Sequence, residues 1–276
     1  MTANAELNRT REWQAVRGFG NLFRKENRAW WSTNRWWVNA VLWITILCGL
    51  TAVLLFAQNY EVVEAAQTEI DAVGGVDAYT VMISTDVFFQ FGVSVLSIGT
   101  VVLMLDSIIG ERQSGETAWL LSKPVSRRAY ILSKLSANLL AVLILIIGTP
   151  SLVGYALFSI RMGGAIEPAP FLAGVGLMTV HVVFYLTLVI MLGTFFKSRG
   201  PILGIALGSL LGGGMIGGMI QPLFYITPWM LPKMASMLAN GQAVPPEIGY
   251  SPVVATSLWC LVFILVSFGK FERTEL

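Results

Sequence analysis

The segment GERQSGETAWLLSKPVSRRAYILSK, Gly110–Lys134, is a long charged connector between two membrane-length apolar runs. Its five basic and two acidic residues make it too polar to cross a membrane. Its centre, Thr117–Leu121, is more apolar than a solvated linker requires. We therefore interpret this connector as a docking surface and not as a reaction site.

The composition of the chain is that of a membrane protein. Apolar residues make up 55% of the 276 positions and charged residues 12%. The mean hydropathy is +0.69, which excludes a water-soluble globule. A helix needs about 20 apolar residues to cross roughly 30 Å of hydrocarbon. Six stretches qualify, and hydrocarbon requires them to be helices: Trp36–Ala57, Val87–Leu105, Leu135–Ser159, Phe171–Phe196, Pro201–Ile220 and Pro252–Phe268.

The basic residues predict the orientation of the six spans. Residues 1–35 carry seven Lys or Arg, the 106–134 connector five, and the 197–200 turn and C-terminal tail two each. On this topology sixteen of the eighteen basic residues lie on one side, so both termini are predicted to be cytoplasmic. The outer connection after the first span, 58–86, has no Lys or Arg but carries acids that include Glu61 and Glu64.

The N-terminal segment has the pattern of an amphipathic helix. Apolar residues recur at helical spacing and basic residues occupy the other side: Trp13, Val16, Phe19, Phe23 and Trp30 against Arg17, Arg24, Lys25 and Arg28. We expect residues 1–35 to form a cytosolic connecting helix on the inner membrane surface, ahead of a transmembrane domain at 36–276. A simple surface anchor for the first span remains the alternative.

The strongest sequence pattern lies in the connector. It runs Glu111-Arg112-Gln113-Ser114-Gly115 and then Leu120-Leu121-Ser122-Lys123-Pro124-Val125-Ser126-Arg127. This pattern, together with six spans and a basic turn before the fifth, resembles the ABC-2 type permease family. Glu116 and Thr117 depart from the usual Thr and Leu of that family.

The resemblance implies an all-α membrane protein with the type V exporter-like permease fold. It also implies that the connector forms a short coupling helix seated in a groove of a cytosolic ATPase, where charged residues and an apolar anchor would contact the partner. The candidate coupling residues are Glu111, Arg112, Gly115, Glu116, Trp119, Leu120, Pro124 and Arg127. An ordinary solvated loop is the alternative.

The chain itself is not expected to be an enzyme. It has no Gly-x-x-x-x-Gly-Lys-Ser/Thr phosphate cradle, so ATP and Mg²⁺ are expected on a separate ABC ATPase present in two copies. The resemblance also implies a second permease subunit, with a homodimer expected. Membrane lipid is the other expected partner, nucleic acid is not, and the expected location is the plasma membrane of a prokaryote.

Small and flexible residues mark the fifth span. Gly204, Gly208 and Gly212 lie four residues apart on one ridge, and small residues allow helices to approach closely in lipid. The resemblance places this span near the interface of two permease subunits. We expect the ridge, with Met215 and Met219, to form a dimer seam or to line the pathway; intramolecular packing is the alternative.

Polar residues inside the spans are functional candidates because they are expensive in lipid. These candidates are His181, Gln90 and Asn138. For His181 an interhelical hydrogen bond is favoured over proton coupling or substrate contact, and no metal site is expected. In the outer segment 221–251, prolines separate apolar pieces, which predicts short helices. By the resemblance these helices form a lid over the exit.

These observations favour the permease subunit of an ATP-driven exporter with an amphipathic or lipid-like substrate. Two alternatives from other classes remain. One is a secondary transporter or channel that works without ATP, and the other is a non-transporting membrane anchor or sensor for an ATPase.

Overall fold

The computed structural model describes residues 16–57 and 67–273, apart from the side chains of Asp106, Ala118 and Leu121. Trp13, Glu61 and Glu64 lie outside the described residues, so the sequence predictions that used them are not addressed by the fold.

All regular elements within 16–57 and 67–273 are helical. The helices are α1 (Phe19–Trp31), α2 (Arg35–Phe56), α3 (Gln67–Val73), α4 (Val76–Gln113), α5 (Glu116–Leu121), α6 (Arg127–Arg161), α7 (Pro168–Phe195), α8 (Arg199–Met219), α9 (Pro222–Ile226), α10 (Leu231–Ala239) and α11 (Ser251–Glu272). Six of them, α2, α4, α6, α7, α8 and α11, are long and apolar enough to cross a membrane. The six-span prediction is confirmed.

Two spans are longer than their apolar cores suggested. Helix α4 begins at Val76 and not at Val87, because its first turn holds Asp77, which favours a helix N-terminus and pairs with Arg161. Helix α6 begins at Arg127 and not at Leu135. There the side chain of Ser126 accepts a hydrogen bond from the backbone N–H of Ala129, at 3.1 Å, and caps the helix.

Helices α2, α4 and α6 each contain one segment of wider π-type turns, at Ile44–Cys48, Val87–Phe91 and Val142–Gly148. The segment in α4 brings Phe88 and Phe89 into the centre of the core, where both side chains are fully buried. Helix α7 packs against α4, α10 and α11 and forms the middle of the bundle. The bundle thus has a connector end, which carries α1 and α5, and an opposite end, which carries α3, α9 and α10.

The prediction of short helices in 221–251 is confirmed by α9, α10 and a 3₁₀ turn at Pro228–Met230. Helix α10 is fixed to α4 by a polar contact. Asp86 Oδ1 accepts hydrogen bonds from Ser236 Oγ at 2.5 Å and from Asn240 Nδ2 at 2.8 Å. Hydrogen bonds to a charged acceptor are among the stronger ones, so this contact holds α10 to α4 at the opposite end of the bundle.

We expect Asp86→Ala to loosen α10, because the hydroxyl of Ser236 and the amide of Asn240 both lose their carboxylate acceptor. The expected loss is about 2 kcal/mol of stability, confined to this end. Hydrogen exchange should rise several-fold across Leu231–Ala239 and stay unchanged across α5. Thr227→Val, which removes a hydrogen bond within one turn, is the control. Equal exchange in both variants would show that Asp86 does not hold α10.

Candidate docking and coupling site

A tight turn separates α5 from the end of α4. Gly115 has φ of 76°, in the left-handed region that side chains disfavour, and its N–H reaches the carbonyl of Arg112 at 3.4 Å. The turn ends α4 at Gln113, so α5 is a separate short helix at the connector end. Its Trp119 side chain is 59% exposed, whereas the neighbouring Leu120 is buried against the bundle. Helix α5 therefore has one outward aromatic face and one inward anchor.

A cluster of charged side chains lies beneath α5. Glu111 Oε1 accepts from Lys25 Nζ at 2.9 Å, and its Oε2 pairs with Lys134 Nζ at 2.9 Å and accepts from the Tyr130 hydroxyl at 2.8 Å. Lys134 is only 1% exposed and also bonds Glu26 at 3.0 Å. A buried ammonium is tolerated here because two carboxylates surround it. We call the following six residues the ionic cluster: Lys25, Glu26, Glu111, Glu116, Tyr130 and Lys134.

Lys25 joins α1 to both sides of the turn. Its ammonium lies 2.9 Å from a Glu111 oxygen and 2.7 Å from a Glu116 oxygen. Partial burial by itself would lower the pKa of Lys25, but the hydrogen bonds to the two carboxylates outweigh it and raise that pKa. The lysine therefore stays charged throughout the physiological pH range, and the link between α1 and the connector does not switch with pH there.

Two arginines of the connector bind the carboxyl ends of other spans. Arg112 Nη1 donates to the carbonyls of Gly193 at 3.2 Å and Thr194 at 3.5 Å, in the last turn of α7. Arg127 Nη1 donates to the carbonyls of Phe271 at 3.2 Å and Glu272 at 2.8 Å, at the end of α11. Carbonyls at a helix end lack intrahelical partners and carry partial negative charge, so a guanidinium is well suited to them. The connector is thereby fastened to two spans that are distant in sequence.

The second half of the connector returns to α1. Pro124 is exposed in the bend between α5 and α6. Two residues later, the N–H of Ser126 donates to the carbonyl of Arg17 at 3.0 Å, while Val125 packs over Gly18. Helix α1 itself lies along α6, with Leu22 and Trp30 buried. Helices α1 and α5 and the start of α6 thus form one connected unit at this end of the bundle.

Apart from Gly115, which forms the turn, the structure separates the predicted coupling residues into two groups. Glu116, Trp119 and Pro124 reach the surface. The side chains of the others turn into the bundle and bond or pack within the chain: Glu111, Arg112, Leu120 and Arg127. The inward group positions α5. Among the described residues, the outward side chains have two contacts within the chain: Glu116 bonds Lys25, and the Lys123 ammonium lies 3.5 Å above the Trp119 ring.

The intramembrane polar candidates all bridge helices. Asn138 accepts from Trp30 Nε1 at 2.8 Å and donates to Ser107 Oγ at 2.9 Å, which joins α1, α6 and α4. His181 Nδ1 shares a hydrogen bond of 2.9 Å with Ser97 Oγ of α4. Gln90 donates to Ser236 Oγ at 3.4 Å, and the same hydroxyl donates to Asp86. Each of these side chains has a structural partner, which is what burial in lipid requires.

Sequence reasoning did not identify Glu26, Tyr130 and Lys134 as members of one cluster. The available signal was the position of Lys134, two turns inside a membrane-length helix, where a charge needs a partner. The acid Glu26 within an otherwise basic helix face was the second signal. Neither residue indicates its partner, because Lys134 and Glu26 are 108 positions apart.

These features define a polytopic membrane protein in which a charged connector and an N-terminal helix are fastened together at one end of a six-span bundle. The family model described as "ABC-2 family transporter protein" matches residues 20–276, and the chain belongs to that family. ABC-2 permeases are membrane subunits without an ATP site of their own and generally pair with an ABC ATPase. No curated protein matches this chain in sequence.

Proposed function

We propose that this chain is the permease subunit of an ATP-driven ABC exporter, with α5 as the surface on which a separate ATPase docks. The proposal rests on one observation: Trp119 is exposed on α5, while Leu120 of the same helix is buried against the bundle. A solvated loop would not need an ionic cluster and two arginine contacts to hold its shape. An aromatic residue presented on a rigid support is typical of an interface anchor.

The ion pairs that hold α5 link it to α4 and α6. Lys25 bridges Glu111 on α4 and Glu116 on α5, and Glu111 continues to Lys134 on α6. When ATP binding closes two ATPase subunits, movement of α5 would be passed to α4 and α6 as a unit, since packed elements shift as rigid bodies. The excess of basic residues at the connector end supports a cytoplasmic location for this end, and the plasma membrane of a prokaryote is the proposed location.

The first experiment on this proposal is a pull-down of the tagged chain from gently solubilised native membranes. Copurifying chains are identified by mass, and ATPase activity is measured. Recovery of a nucleotide-binding subunit with activity supports the exporter. Recovery of this chain alone would instead favour the secondary transporter or channel. A bound ATPase whose activity no amphipathic compound changes would favour the anchor or sensor.

A second permease subunit is proposed to pack on α8. Met215 and Met219 are 77% and 86% exposed. Apart from the chain neighbours and the backbone of α8 itself, no heavy atom of the described residues lies within 4 Å of a Cβ built on Gly204 or Gly208. The other side of the same helix is occupied, because a Cβ on Gly213 would meet the Trp229 ring at 2.0 Å. Helix α8 therefore has one packed glycine face and one open face, and the open face suits close contact with another helix in lipid.

A substitution on the open face distinguishes a dimer seam from a lipid-facing helix. Gly208→Leu is expected to leave the folded monomer intact, because space surrounds Gly208 within the chain, but to abolish dimer formation by forcing the helices apart. Dimer content is measured by cross-linking in native membranes and by mass photometry after extraction. We expect at least a tenfold loss of dimer, an order-of-magnitude figure from the cost of overpacking a helix contact.

The matched control is Gly176→Leu, which introduces the same side chain at an exposed glycine of α7 that also has open space around it. It should dimerise like the wild type. Gly213→Ala serves as the opposite control, since its clash with Trp229 should lower the thermal midpoint of the monomer. Normal dimer content in Gly208→Leu would assign the face to lipid.

The substrate proposed for this exporter is amphipathic or lipid-like. The exposed residues of α8 that would border a pathway at the seam are apolar, including Leu211, Met215 and Ile216. An apolar lining with flexible methionines gives little stabilisation to a small ion and more to hydrocarbon. Stimulation of ATPase activity by amphiphiles in reconstituted vesicles is the corresponding measurement.

A further inference from the structure

A polar cavity of about 370 Å³ lies between α1, α4 and α6 at the connector end. Its charged lining is balanced, with three cations and three carboxylates: Lys25, Arg35 and Lys134 against Glu26, Glu111 and Glu116. Ser107 and Asn138 complete the polar wall, and Trp30 supplies an apolar side. The volume is at the small end of ligand sites and suits a polar headgroup without its acyl chains.

The ionic cluster leaves specific groups of this lining available. Both lysines are bonded to carboxylates, and both oxygens of Glu111 are engaged. Among the described residues no side-chain partner of Arg35 is found, and Glu116 bonds through Oε1 alone, which leaves its Oε2 as an acceptor. Glu26 likewise bonds through Oε1 alone, so the cavity offers one unpaired guanidinium and two spare carboxylate oxygens on the same lining. Of the two acids Glu116 is the more accessible, with 43% of its side chain exposed against 14% for Glu26.

The residues beside the cavity are of the types that favour the level of the lipid headgroups. Arg35 is the first residue of α2, and Trp36 and Trp37 beside it are 44% and 46% exposed. Indole rings and arginine at the end of a span favour the membrane–water interface. Beyond them, Val38 and Val41 are exposed on the apolar part of the helix. A lipid lying along this face of α2 would thus bring its headgroup to the level of Arg35.

We propose that this cavity binds the headgroup of a phospholipid that carries both a phosphate and a primary ammonium, as in phosphatidylethanolamine. The phosphate accepts hydrogen bonds from the Arg35 guanidinium, which matches phosphate oxygens in a bidentate manner. The ammonium donates to the free oxygen of Glu116. A choline headgroup has no N–H to donate, and a glycerol headgroup brings no positive charge for the carboxylate, so neither complements this lining.

Such a lipid would tie α1 and α5 to the start of α2. The site does not depend on the proposed exporter function, because its evidence is the lining of the cavity and not the docking of an ATPase. Its binding is therefore measured on the purified permease chain alone. A negative result would leave the docking proposal standing, and failure of docking would leave this site standing.

The test is native mass spectrometry of the delipidated chain in detergent with added phosphatidylethanolamine, phosphatidylcholine or phosphatidylglycerol of identical acyl chains. We expect phosphatidylethanolamine to be retained about tenfold more than either other lipid, the scale of one charge-assisted hydrogen bond. Arg35→Gln should remove that preference, and Arg35→Lys should keep part of it. Soluble phosphoethanolamine at the same concentration should not compete; competition equal to that of the lipid would overturn the assignment to a membrane lipid.

Arg24→Gln is the matched control, because it removes one positive charge from an exposed position of α1 that does not line the cavity. It should bind like the wild type. Thermal midpoints of all variants are recorded without lipid, so that a folding defect is recognised, and Glu116→Gln provides an independent test of the ammonium contact. Equal retention of the three lipids by the wild type, or unchanged preference in both Arg35→Gln and Glu116→Gln, would overturn the proposal.

Discussion

Replacing Trp119 with alanine is expected to weaken binding of the ATPase by about 30-fold or more while the permease stays folded. Truncation of an aromatic hot spot costs roughly 2 kcal/mol of binding free energy or more, which gives that factor. Within the chain the ring of Trp119 stacks under the Lys123 ammonium and is otherwise largely exposed, so its loss costs the fold little. Affinity is measured between the detergent-solubilised chain and the purified ATPase.

Trp36→Ala is the control for this variant, because Trp36 is also exposed but belongs to α2 and not to α5. Its affinity for the ATPase should equal that of the wild type. An unchanged dissociation constant for Trp119→Ala, with Trp36→Ala also unchanged, would mean that α5 is not the docking surface.

Reversal of the charge at Glu111 is expected to destabilise the connector end by about 3–5 kcal/mol. The new lysine would face Lys25 and the buried Lys134, whose ammonium keeps Glu26 as its remaining partner. Leaving a buried cation without sufficient countercharge is one of the few effects of a single substitution that lower stability by this much. The midpoint of thermal unfolding should fall by roughly 5 °C or more, with ATPase stimulation lost in parallel.

Glu272→Lys is the matched control. Glu272 pairs with Arg128, and both side chains are largely exposed, so reversal there should cost less than about 1 kcal/mol. The double variant Glu111→Lys with Lys134→Glu should recover part of the stability, because the central pair is restored with opposite polarity. Equal midpoints for Glu111→Lys and Glu272→Lys would show that the ionic cluster is not a structural element.

Hydropathy was sufficient to locate the six spans, because lipid forces apolar runs of this length into helices. It could not locate where α4 and α6 begin. Val76 and Arg127 start helices in polar sequence, where the helix is fixed by the Asp77–Arg161 pair and by the Ser126 cap. Such local contacts add no apolar residue, so a hydropathy pattern contains no trace of them.

The connector was recognised from its sequence, but the direction of its side chains was not. We expected Glu111 and Arg112 to contact a partner, whereas Glu111 bonds Lys25, 86 positions earlier, and Arg112 bonds the end of α7. Which face of a short helix points inward depends on the elements that pack beneath it. The contribution of Glu111 and Arg112 to docking therefore remains a prediction, now through the positioning of α5.

Site-specific photo-cross-linking at position 119 in native membranes would show directly whether α5 contacts an ATPase. A photoreactive amino acid replaces Trp119 and, in a parallel sample, Trp36, and adducts are identified by mass after irradiation. We expect position 119 to yield an adduct with a nucleotide-binding subunit and position 36 to yield lipid adducts. Adducts of position 119 with lipid or with this chain alone would contradict the proposed contact.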